Sequence, residues 1–339
     1  MKQTSRDSSN SLLSTVDFTV SHLPEVVRIE PASTCNLRCI HCPTGIGRSR
    51  NRGVMTEETF GVVLKNLEKL KPRVVVMYHG GEPFLNKHIF EWIGAIKSMG
   101  VGFVKTVTNG MLITDDMLIR IVESGLDSVE FSIDGQSPEE NNAIRIGSDY
   151  HRVANTIKKL IRIKGERDND KPTIFIANTQ FADSGKAIQA DPPPPRFMLD
   201  DFTGIYEESL AFKTTWALCW PGLESIKDSN FTKINQDVVS LEDVTYCPHP
   251  VETITIRWNG DVVACCYDLT SKYVLGNIKE SNLANIWNNE KYKRLRRSIH
   301  DKQYLPLCYN CHVIRPHHFI SLNSPAASCQ ELNQKGLKE

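Results

Sequence analysis

Between Val26 and Ala177 the chain alternates short β-rich runs with amphipathic helical segments, and this rhythm restricts the possible folds more than any other feature. Thr56 can cap the first helix, and Gly100 and Gly125 can end later ones. Strands alternating with helices of this length imply βαβ units and a parallel sheet, which binds ligands at the carboxyl ends of its strands. The predicted strands are Val26–Glu30, Val74–Tyr78, Gly102–Thr108, Ser128–Ile133 and Thr173–Ala177, and the helices following Thr56 are Ile89–Met99, Asp115–Glu123 and His151–Gly165.

The alternation stops near residue 181, where a stiff Pro-rich stretch follows Asp191. A sixth strand is expected near Phe197. Beyond Cys247, Asn259-Gly260 signals a two-residue turn between strands Thr253–Trp258 and Asp261–Cys265, with a helix at Leu283–Ile299. The expected organisation is a flexible tail (1–22), a core domain (23–200), a connecting segment (201–240), a small cysteine-rich β-hairpin and helix domain (241–320) and a polar tail (321–339).

Charge and hydropathy restrict the environment of the protein. Forty Lys and Arg balance forty Asp and Glu, so no excess charge favours nucleic acid or an acidic membrane surface. The apolar runs are too short to span a bilayer, and the first residues lack the apolar stretch of a secretory signal. We therefore expect a cytoplasmic protein. In that reducing compartment, ten cysteines indicate metal ligands or reactive thiols rather than disulfides.

Three of these cysteines follow the first predicted strand. Cys35, Cys39 and Cys42 have the spacing C-x3-C-x2-C. Three thiolates on one loop can bind three irons of a cubane and leave the fourth iron open for a ligand. A zinc knuckle is the alternative, but zinc usually takes four ligands in paired spacings, so this pattern suits it poorly.

This spacing resembles the signature of the radical S-adenosylmethionine (SAM) superfamily, although His41 stands where that family usually has an aromatic residue. The resemblance implies an α/β fold with a partial (β/α)6 TIM-like barrel and a catalytic [4Fe–4S] cluster on Cys35, Cys39 and Cys42. It also implies that the open iron binds SAM, and that one electron cleaves SAM to a radical that removes hydrogen from a substrate.

Further segments at successive strand ends are similar to those that surround SAM in this family. Gly80-Gly81-Glu82-Pro83 looks like its GGEP motif, and Arg145 matches an Arg that pairs with the SAM carboxylate. Each segment alone is more typical of an ordinary loop, so their joint placement carries the weight. The implied SAM-binding residues are His41, Gly80, Gly81, Glu82, Pro83, Thr108, Asn109, Ser132, Asp134, Arg145 and Asn178.

A second set of cysteines, at Cys247, Cys265, Cys308 and Cys311, resembles the SPASM extension of these enzymes or its shortened twitch form. The resemblance implies a second, auxiliary [4Fe–4S] cluster with four protein ligands. A zinc ribbon is the alternative. Cys266, expected to point away on its strand, and Cys219 are typical of buried apolar thiols, and both are candidate hydrogen donors. Only Cys329 follows the set.

The resemblance therefore implies a radical SAM oxidoreductase that acts on a C–H bond and receives its electron from a flavodoxin- or ferredoxin-like partner. Because little chain precedes the first strand, the expected substrate is a small or carbohydrate-like molecule, with net oxidation by one auxiliary cluster. The alternatives are a redox-neutral epimerase that quenches its radical with a thiol, a peptide-modifying maturase, and a non-catalytic zinc or iron–sulfur binding protein.

Overall fold

The computed structural model describes residues 13–14, 17–47, 51–181, 191–204, 209–217, 220, 244–309, 311 and 313, and the backbone of 231–235 and 318–322. The strands are β1 (Val26–Ile29), β2 (Arg38–Cys39), β3 (Val74–Val76), β4 (Phe103–Thr108), β5 (Ser128–Asp134), β6 (Arg145–Ile146), β7 (Thr173–Gln180), β8 (Leu210–Trp216), β9 (Phe231–Asn235), β10 (Thr253–Ile256), β11 (Asp261–Val263), β12 (Val274–Asn277) and β13 (His318–Leu322). The α-helices are α1 (Glu57–Leu70), α2 (Ile89–Ser98), α3 (Asp115–Glu123), α4 (Pro138–Ile144), α5 (Tyr150–Glu166), α6 (Arg196–Phe202), α7 (His249–Glu252), α8 (Leu283–Trp287), α9 (Glu290–His300) and α10 (Pro306–Tyr309). None of these helices is long and apolar enough to cross a membrane.

The main sheet confirms the predicted α/β class. Its strand order is β12-β11-β10-β1-β3-β4-β5-β7-β8, and every pair from β1 to β8 is parallel. Six parallel strands with intervening helices match the partial (β/α)6 barrel. Thr56 accepts the Thr59 amide and caps α1, as predicted, and Gly100 and Gly125 have positive φ just after α2 and α3.

The two faces of this sheet differ in chemistry. Alternate residues such as Val27, Val75, Val104 and Val129 are fully buried and pack in one core with apolar residues of the helices. The residues between them point to the opposite face, which we call the inner face of the barrel. The core therefore lies between sheet and helices, and the inner face is left for polar groups and ligands.

The sixth strand is not where the sequence predicts it. Residues around Phe197 form α6, because Met198 and Phe202, four residues apart, both reach the core. The strand lies further on, at Leu210–Trp216, and pairs with β7 in parallel. The Pro-rich stretch ends at Pro195, which stands at the N-terminus of this helix.

The C-terminal elements also differ from prediction in detail. The hairpin exists, but Gly260 alone has positive φ and its amide bonds to the Arg257 carbonyl, so the turn is longer than two residues. Its second strand ends at Val263. The predicted helix Leu283–Ile299 is two helices, because Asn289 interrupts it and caps α9 through the Tyr292 amide.

The cysteine-rich part is continuous with the core sheet. Strand β10 pairs with β1 in parallel over four residues, so the hairpin extends the barrel sheet on its β1 edge. The predicted boundaries at residues 200 and 240 stay predictions. The pairing places the C-terminal part beside the carboxyl end of β1, where the first cysteine cluster begins.

Candidate active site

The loop after β1 carries Cys35, Cys39 and Cys42. Cys39 lies in β2, which pairs antiparallel with β6, so that Cys39 stands directly opposite Arg145. The Cys42 amide donates to the Cys39 carbonyl at 3.2 Å, which closes a tight turn between these two cysteines. Cys39 is buried, whereas Cys35 and Cys42 are half-buried. The structure thus brings all three thiols to the carboxyl end of the sheet, next to a guanidinium group.

The raised pKa values of two of these thiols are consistent with binding of a metal cluster. Burial raises the pKa of Cys39 to about 12 and also raises the pKa of Cys35, with smaller contributions from the neighbouring thiols, while Arg145 acts in the opposite direction. The thiolate forms therefore need further positive charge. Metal ions supply such charge, because coordination deprotonates a thiol outright.

Arg145 is the best-defined polar group of the site. Its Nη1 donates to Asp134 Oδ2 at 2.8 Å, and His41 Nε2 lies 3.7 Å from the same oxygen. Burial opposes the charge of Arg145, but the Cys39 thiol and the Asp134 carboxylate raise its pKa. Its Nε is buried and has no hydrogen-bond partner. A cationic donor thus remains free beside the cysteine loop, which fits a carboxylate ligand such as that of SAM.

The Gly80–Pro83 turn approaches the cysteine loop through its backbone. A Cβ on Gly81 would lie 2.3 Å from the Thr34 carbonyl oxygen, so only glycine allows this approach. Pro83 begins a short 3-10 turn that Glu82 caps by accepting the Phe84 amide. The motif therefore sets the distance between strand β3 and the loop that carries the thiols.

Glu82 uses its carboxylate to join two strand ends. It accepts the Thr108 hydroxyl at 2.9 Å and the Asn109 amide at 2.8 Å, and burial raises its pKa. Asn109 in turn donates to Asn36 Oδ1 at 2.9 Å, with Cys35 Sγ at 3.7 Å. The Glu82 carboxylate is thus already committed to Phe84, Thr108 and Asn109, and Asn109 links it to the cysteine loop.

Two further candidates lie on β5 and β7. Ser132 is half-buried on the inner face. Asn178 is fully buried, donates to the carbonyls of Ile133 and Gly135, and leaves its Oδ1 without a hydrogen-bond partner. The structure brings these residues to the same end of the sheet as Asp134. Their contacts with SAM stay predictions, as do those of the other residues at this end.

The four C-terminal cysteines line one cavity of about 20 Å³, together with His249 and Tyr267. Burial raises the pKa of Cys308 to about 12, and burial also raises the pKa values of Cys247 and Cys265. In the described part of the chain, no three His, Cys, Asp or Glu side chains already converge as ligands of one ion. The donor set of four neighbouring thiols fits a cluster or zinc.

Cys266 is not on a strand, because β11 ends three residues before it. It lies in a turn, with its Sγ 3.9 Å from either ring nitrogen of His249. The prediction that Cys266 lies on a strand is therefore wrong. The other candidate thiol, Cys219, lies outside the described residues, as does Cys329.

Sequence reasoning missed Glu30, which follows β1 and is fully buried. Its Oε1 accepts the Gly80 amide and lies 3.2 Å from His79 Nδ1, while its Oε2 accepts Arg257 Nε at 3.1 Å and the Trp258 amide. Glu30 thus joins the glycine turn to the C-terminal hairpin. An acidic residue at the end of an apolar strand was the available signal.

Comparison with known proteins agrees with this geometry. The profile of the radical SAM superfamily matches residues 29–175, and that of an iron–sulfur cluster-binding domain, SPASM, matches residues 247–312. The chain is 27% identical over 322 residues to the tungsten-containing aldehyde ferredoxin oxidoreductase cofactor-modifying protein of Pyrococcus furiosus, which covers 84% of this chain and 86% of the relative. It is 24% identical over 291 residues to the mycofactocin maturase MftC of Mycolicibacterium smegmatis, covering 82% and 72%.

Solved structures share the fold. BtrN in complex with AdoMet and 2-DOIA matches with a TM-score of 0.55 and 18% identity, over 85% of this chain and 93% of BtrN. Streptococcus suis SuiB bound to S-adenosylmethionine matches with a TM-score of 0.54 and 16% identity, over 97% and 81%. At these identities the likeness concerns the arrangement of strands and helices only.

Proposed function

Because this chain belongs to the radical SAM superfamily and carries a SPASM domain, with SAM and iron–sulfur clusters as its cofactors, we propose that it modifies a peptide or a peptide-derived cofactor at an unactivated C–H bond. The observation that carries the chemistry is the pairing of β2 with β6, which sets the thiol of Cys39 against Arg145. When bound, the catalytic cluster and SAM supply the one-electron chemistry that removes a hydrogen atom from the substrate.

Each residue of the site has a separate task in this proposal. Cys35, Cys39 and Cys42 hold the catalytic cluster. Arg145, oriented by Asp134 at 2.8 Å, binds the SAM carboxylate with its free Nε. Glu82 fixes the ends of β3 and β4 through its three hydrogen bonds, so that these strand ends keep their positions when ligands bind.

The names of the relatives favour the maturation of a cofactor over the small or carbohydrate-like substrate expected from sequence, and we propose that the precursor is a peptide. Two relatives that each cover more than four fifths of this chain are named for modifying a cofactor and for maturing mycofactocin. BtrN, whose structure is in complex with 2-DOIA, shares only the fold. We therefore assign this chain to the maturase alternative.

The product of the reaction depends on the fate of the unpaired electron that remains on the substrate after the hydrogen atom is removed. We propose net two-electron oxidation, since the four C-terminal cysteines can occupy every ligand position of an auxiliary cluster and leave electron transfer as its role. A flavodoxin- or ferredoxin-like protein would supply the first electron. In the redox-neutral alternative a thiol returns a hydrogen atom to the substrate, and Cys266 is the candidate that the structure describes.

The test uses anaerobically reconstituted protein with SAM, a reductant and candidate precursor peptides chosen from short reading frames near its gene. We expect release of 5′-deoxyadenosine and a peptide lighter by two hydrogen atoms. A variant with Cys35, Cys39 and Cys42 replaced by Ala should lose about 4 Fe per chain and all SAM cleavage. SAM cleavage that persists in this variant contradicts the assignment of the catalytic cluster. A peptide that instead gains one deuterium in deuterated water, with the gain lost in Cys266→Ala, supports the epimerase.

A further inference from the structure

The inner face of the barrel carries charged residues that the proposed chemistry does not use. Arg28 on β1, Lys105 on β4, Glu130 on β5 and Lys213 on β8 all lie on the strand positions that alternate with the buried core. In register, Arg28 pairs with Val76, and Val76 pairs with Lys105. The charges of Glu130, Lys213 and Arg28 all act on Lys105, so the four residues form one group.

Only one of the three cations in this group has a carboxylate partner among the described residues. Lys213 Nζ lies 2.5 Å from Glu130 Oε2 and 4.1 Å from the centroid of the Phe175 ring. The Glu130 carboxylate is therefore neutralised by Lys213. Arg28 and Lys105 form no ion pair within the described part of the chain.

Arg28 is held in place without being neutralised. Its guanidinium lies 4.8 Å from the centroid of the Tyr78 ring, and its Nη1 donates to the Tyr78 carbonyl at 3.4 Å. Its Nε is buried and has no hydrogen-bond partner. The Tyr78 contacts thus orient a guanidinium that keeps a free donor.

Lys105 is a second cation close to the first. Burial lowers the pKa of Lys105, and the nearby charges of Lys213 and Arg28 lower it further, against the opposing effect of Glu130. Holding two like charges together away from water is unfavourable unless an anion joins them. The residues in register with Arg28 on the neighbouring strands, Val76 and Thr255, are uncharged.

The pair lies beneath the candidate SAM site on the same face of the sheet. Lys105 is in register with Ser128, and Ser128, Glu130, Ser132 and Asp134 alternate along β5, so Ser132 lies two inner-face steps and Asp134 three steps above the pair. Each step is about 7 Å along a strand. A ligand held by Arg28 and Lys105 would thus lie within the barrel and extend toward the carboxyl ends of the strands.

We propose that Arg28 and Lys105 form a subsite for an oxyanion of the substrate, a carboxylate or a phosphate, with the remainder of the substrate directed at the SAM site. That the bound oxyanion belongs to the substrate rests on the proposed function. Tyr78 orients Arg28, and the Lys213–Glu130 pair keeps Glu130 from neutralising the subsite. On the peptide assignment, the oxyanion is a carboxylate.

The test measures binding of inorganic phosphate and of succinate to the reconstituted holoenzyme by calorimetry at low ionic strength. We expect saturable binding that weakens about tenfold or more in Arg28→Gln and in Lys105→Gln, since each loses a charge-assisted hydrogen bond. Lys65→Gln, which removes an exposed lysine of α1, should bind like the parent. Tighter binding of succinate identifies a carboxylate site, and tighter binding of phosphate a phosphate site.

Absence of saturable binding of both anions, or equal affinities in all variants, overturns the subsite. If the Gln variants lose iron or the helical signal in circular dichroism, Arg28→Lys and Lys105→Arg replace them. Lys105 of the parent is also labelled with an amine-reactive reagent, with and without each anion. Protection of Lys105 by either anion is then expected, and unchanged labelling counts against the site. Release of 5′-deoxyadenosine is measured separately. Intact SAM cleavage without anion binding contradicts the subsite and leaves the proposed function standing. Anion binding without SAM cleavage contradicts the proposed function and leaves the subsite standing.

Discussion

At the residue scale, two atoms of the Arg145 side chain differ in their surroundings. Its Nη1 neutralises Asp134, which is a structural role, while its buried Nε has no hydrogen-bond partner and is left for the proposed SAM carboxylate. Replacement by Ala would remove both and leave a buried carboxylate unpaired. Replacement by Lys keeps a positive charge near Asp134 but loses the planar set of donors.

For Arg145→Lys we expect SAM affinity to fall about tenfold or more with the iron content unchanged. Calorimetric titration of reconstituted protein with SAM and an iron assay measure the two quantities. Arg120→Lys is the matched control, because Arg120 forms an exposed pair with Glu91 on the helix side. Normal SAM affinity in Arg145→Lys would show that Arg145 has a structural role and does not bind SAM.

Asp127 illustrates a charge that serves stability alone. Its carboxylate accepts the Val104 amide at 2.8 Å and pairs with Lys97 at 2.7 Å and Lys171 at 2.5 Å, at the end of the sheet opposite the site. Although burial opposes its charge, the hydrogen bonds from Lys171 and Lys97 lower the pKa of Asp127. A lowered pKa in the folded state stabilises the protein above the unfolded-state pKa, and this contribution is lost as the pH falls through the folded-state pKa.

Asp127→Asn should therefore reduce the free energy of unfolding by about 1–3 kcal/mol near neutral pH. The difference from the parent should shrink once the pH falls below the usual Asp pKa of about 3.9. Urea unfolding at the two pH values measures it. A difference that stays constant with pH would show that the charge of Asp127 does not contribute.

At the scale of elements, the approach of the Gly80–Pro83 turn to the cysteine loop depends on one missing side chain. A methyl group on Gly81 would meet the carbonyls of Ala32 and Thr34 at 2.4 and 2.3 Å. Both atoms are backbone, so the turn and the loop would have to move apart. The same change at Gly94 in α2 meets no atom within 4 Å.

Gly81→Ala should consequently lower both SAM affinity and iron content, since the turn and the cysteine loop shift together. Gly94→Ala should stabilise the chain by about 1 kcal/mol, because Ala favours the helix more than Gly does. Iron analysis, SAM titration and thermal unfolding of the two variants give the comparison. Full iron and normal SAM binding in Gly81→Ala would mean that the contact is not needed.

At the scale of the whole molecule, Glu30 joins the barrel to the cysteine-rich part. It is separated by 227 positions in sequence from Arg257, yet their side chains lie 3.1 Å apart with both fully buried. The continuous sheet through β1 and β10 runs beside this contact. Because a buried pair that loses one charge leaves the other uncompensated, this link is sensitive to substitution.

Glu30→Gln should lower the free energy of unfolding by about 3 kcal/mol or more. Glu25→Gln, which removes an exposed pair with Arg73 next to the same strand, should change it by less than about 1 kcal/mol. Chemical denaturation followed by circular dichroism compares the two variants. Equal effects would show that the buried network does not couple the two parts of the molecule.

Sequence alone determined the features that depend on neighbours along the chain. Apolar spacing, the Thr56 cap and the terminating glycines located five of the six parallel strands and the helices α1, α2, α3 and α5, because local periodicity reports which face is buried. The short helix α4 was not predicted from the sequence. The spacing of Cys35, Cys39 and Cys42 predicted a cluster site for a related reason, since one loop carries all three cysteines.

Only the tertiary structure decided what depends on residues that are distant in sequence. The core selected Met198 and Phe202 as a helical pair and moved the sixth strand to Leu210–Trp216. Strand pairing set Arg145 against Cys39, and sheet register gathered Arg28 and Lys105 on the inner face. Local periodicity does not show which strands become neighbours. Strand order depends on burial of the whole core and on the entropy cost of bringing distant segments together.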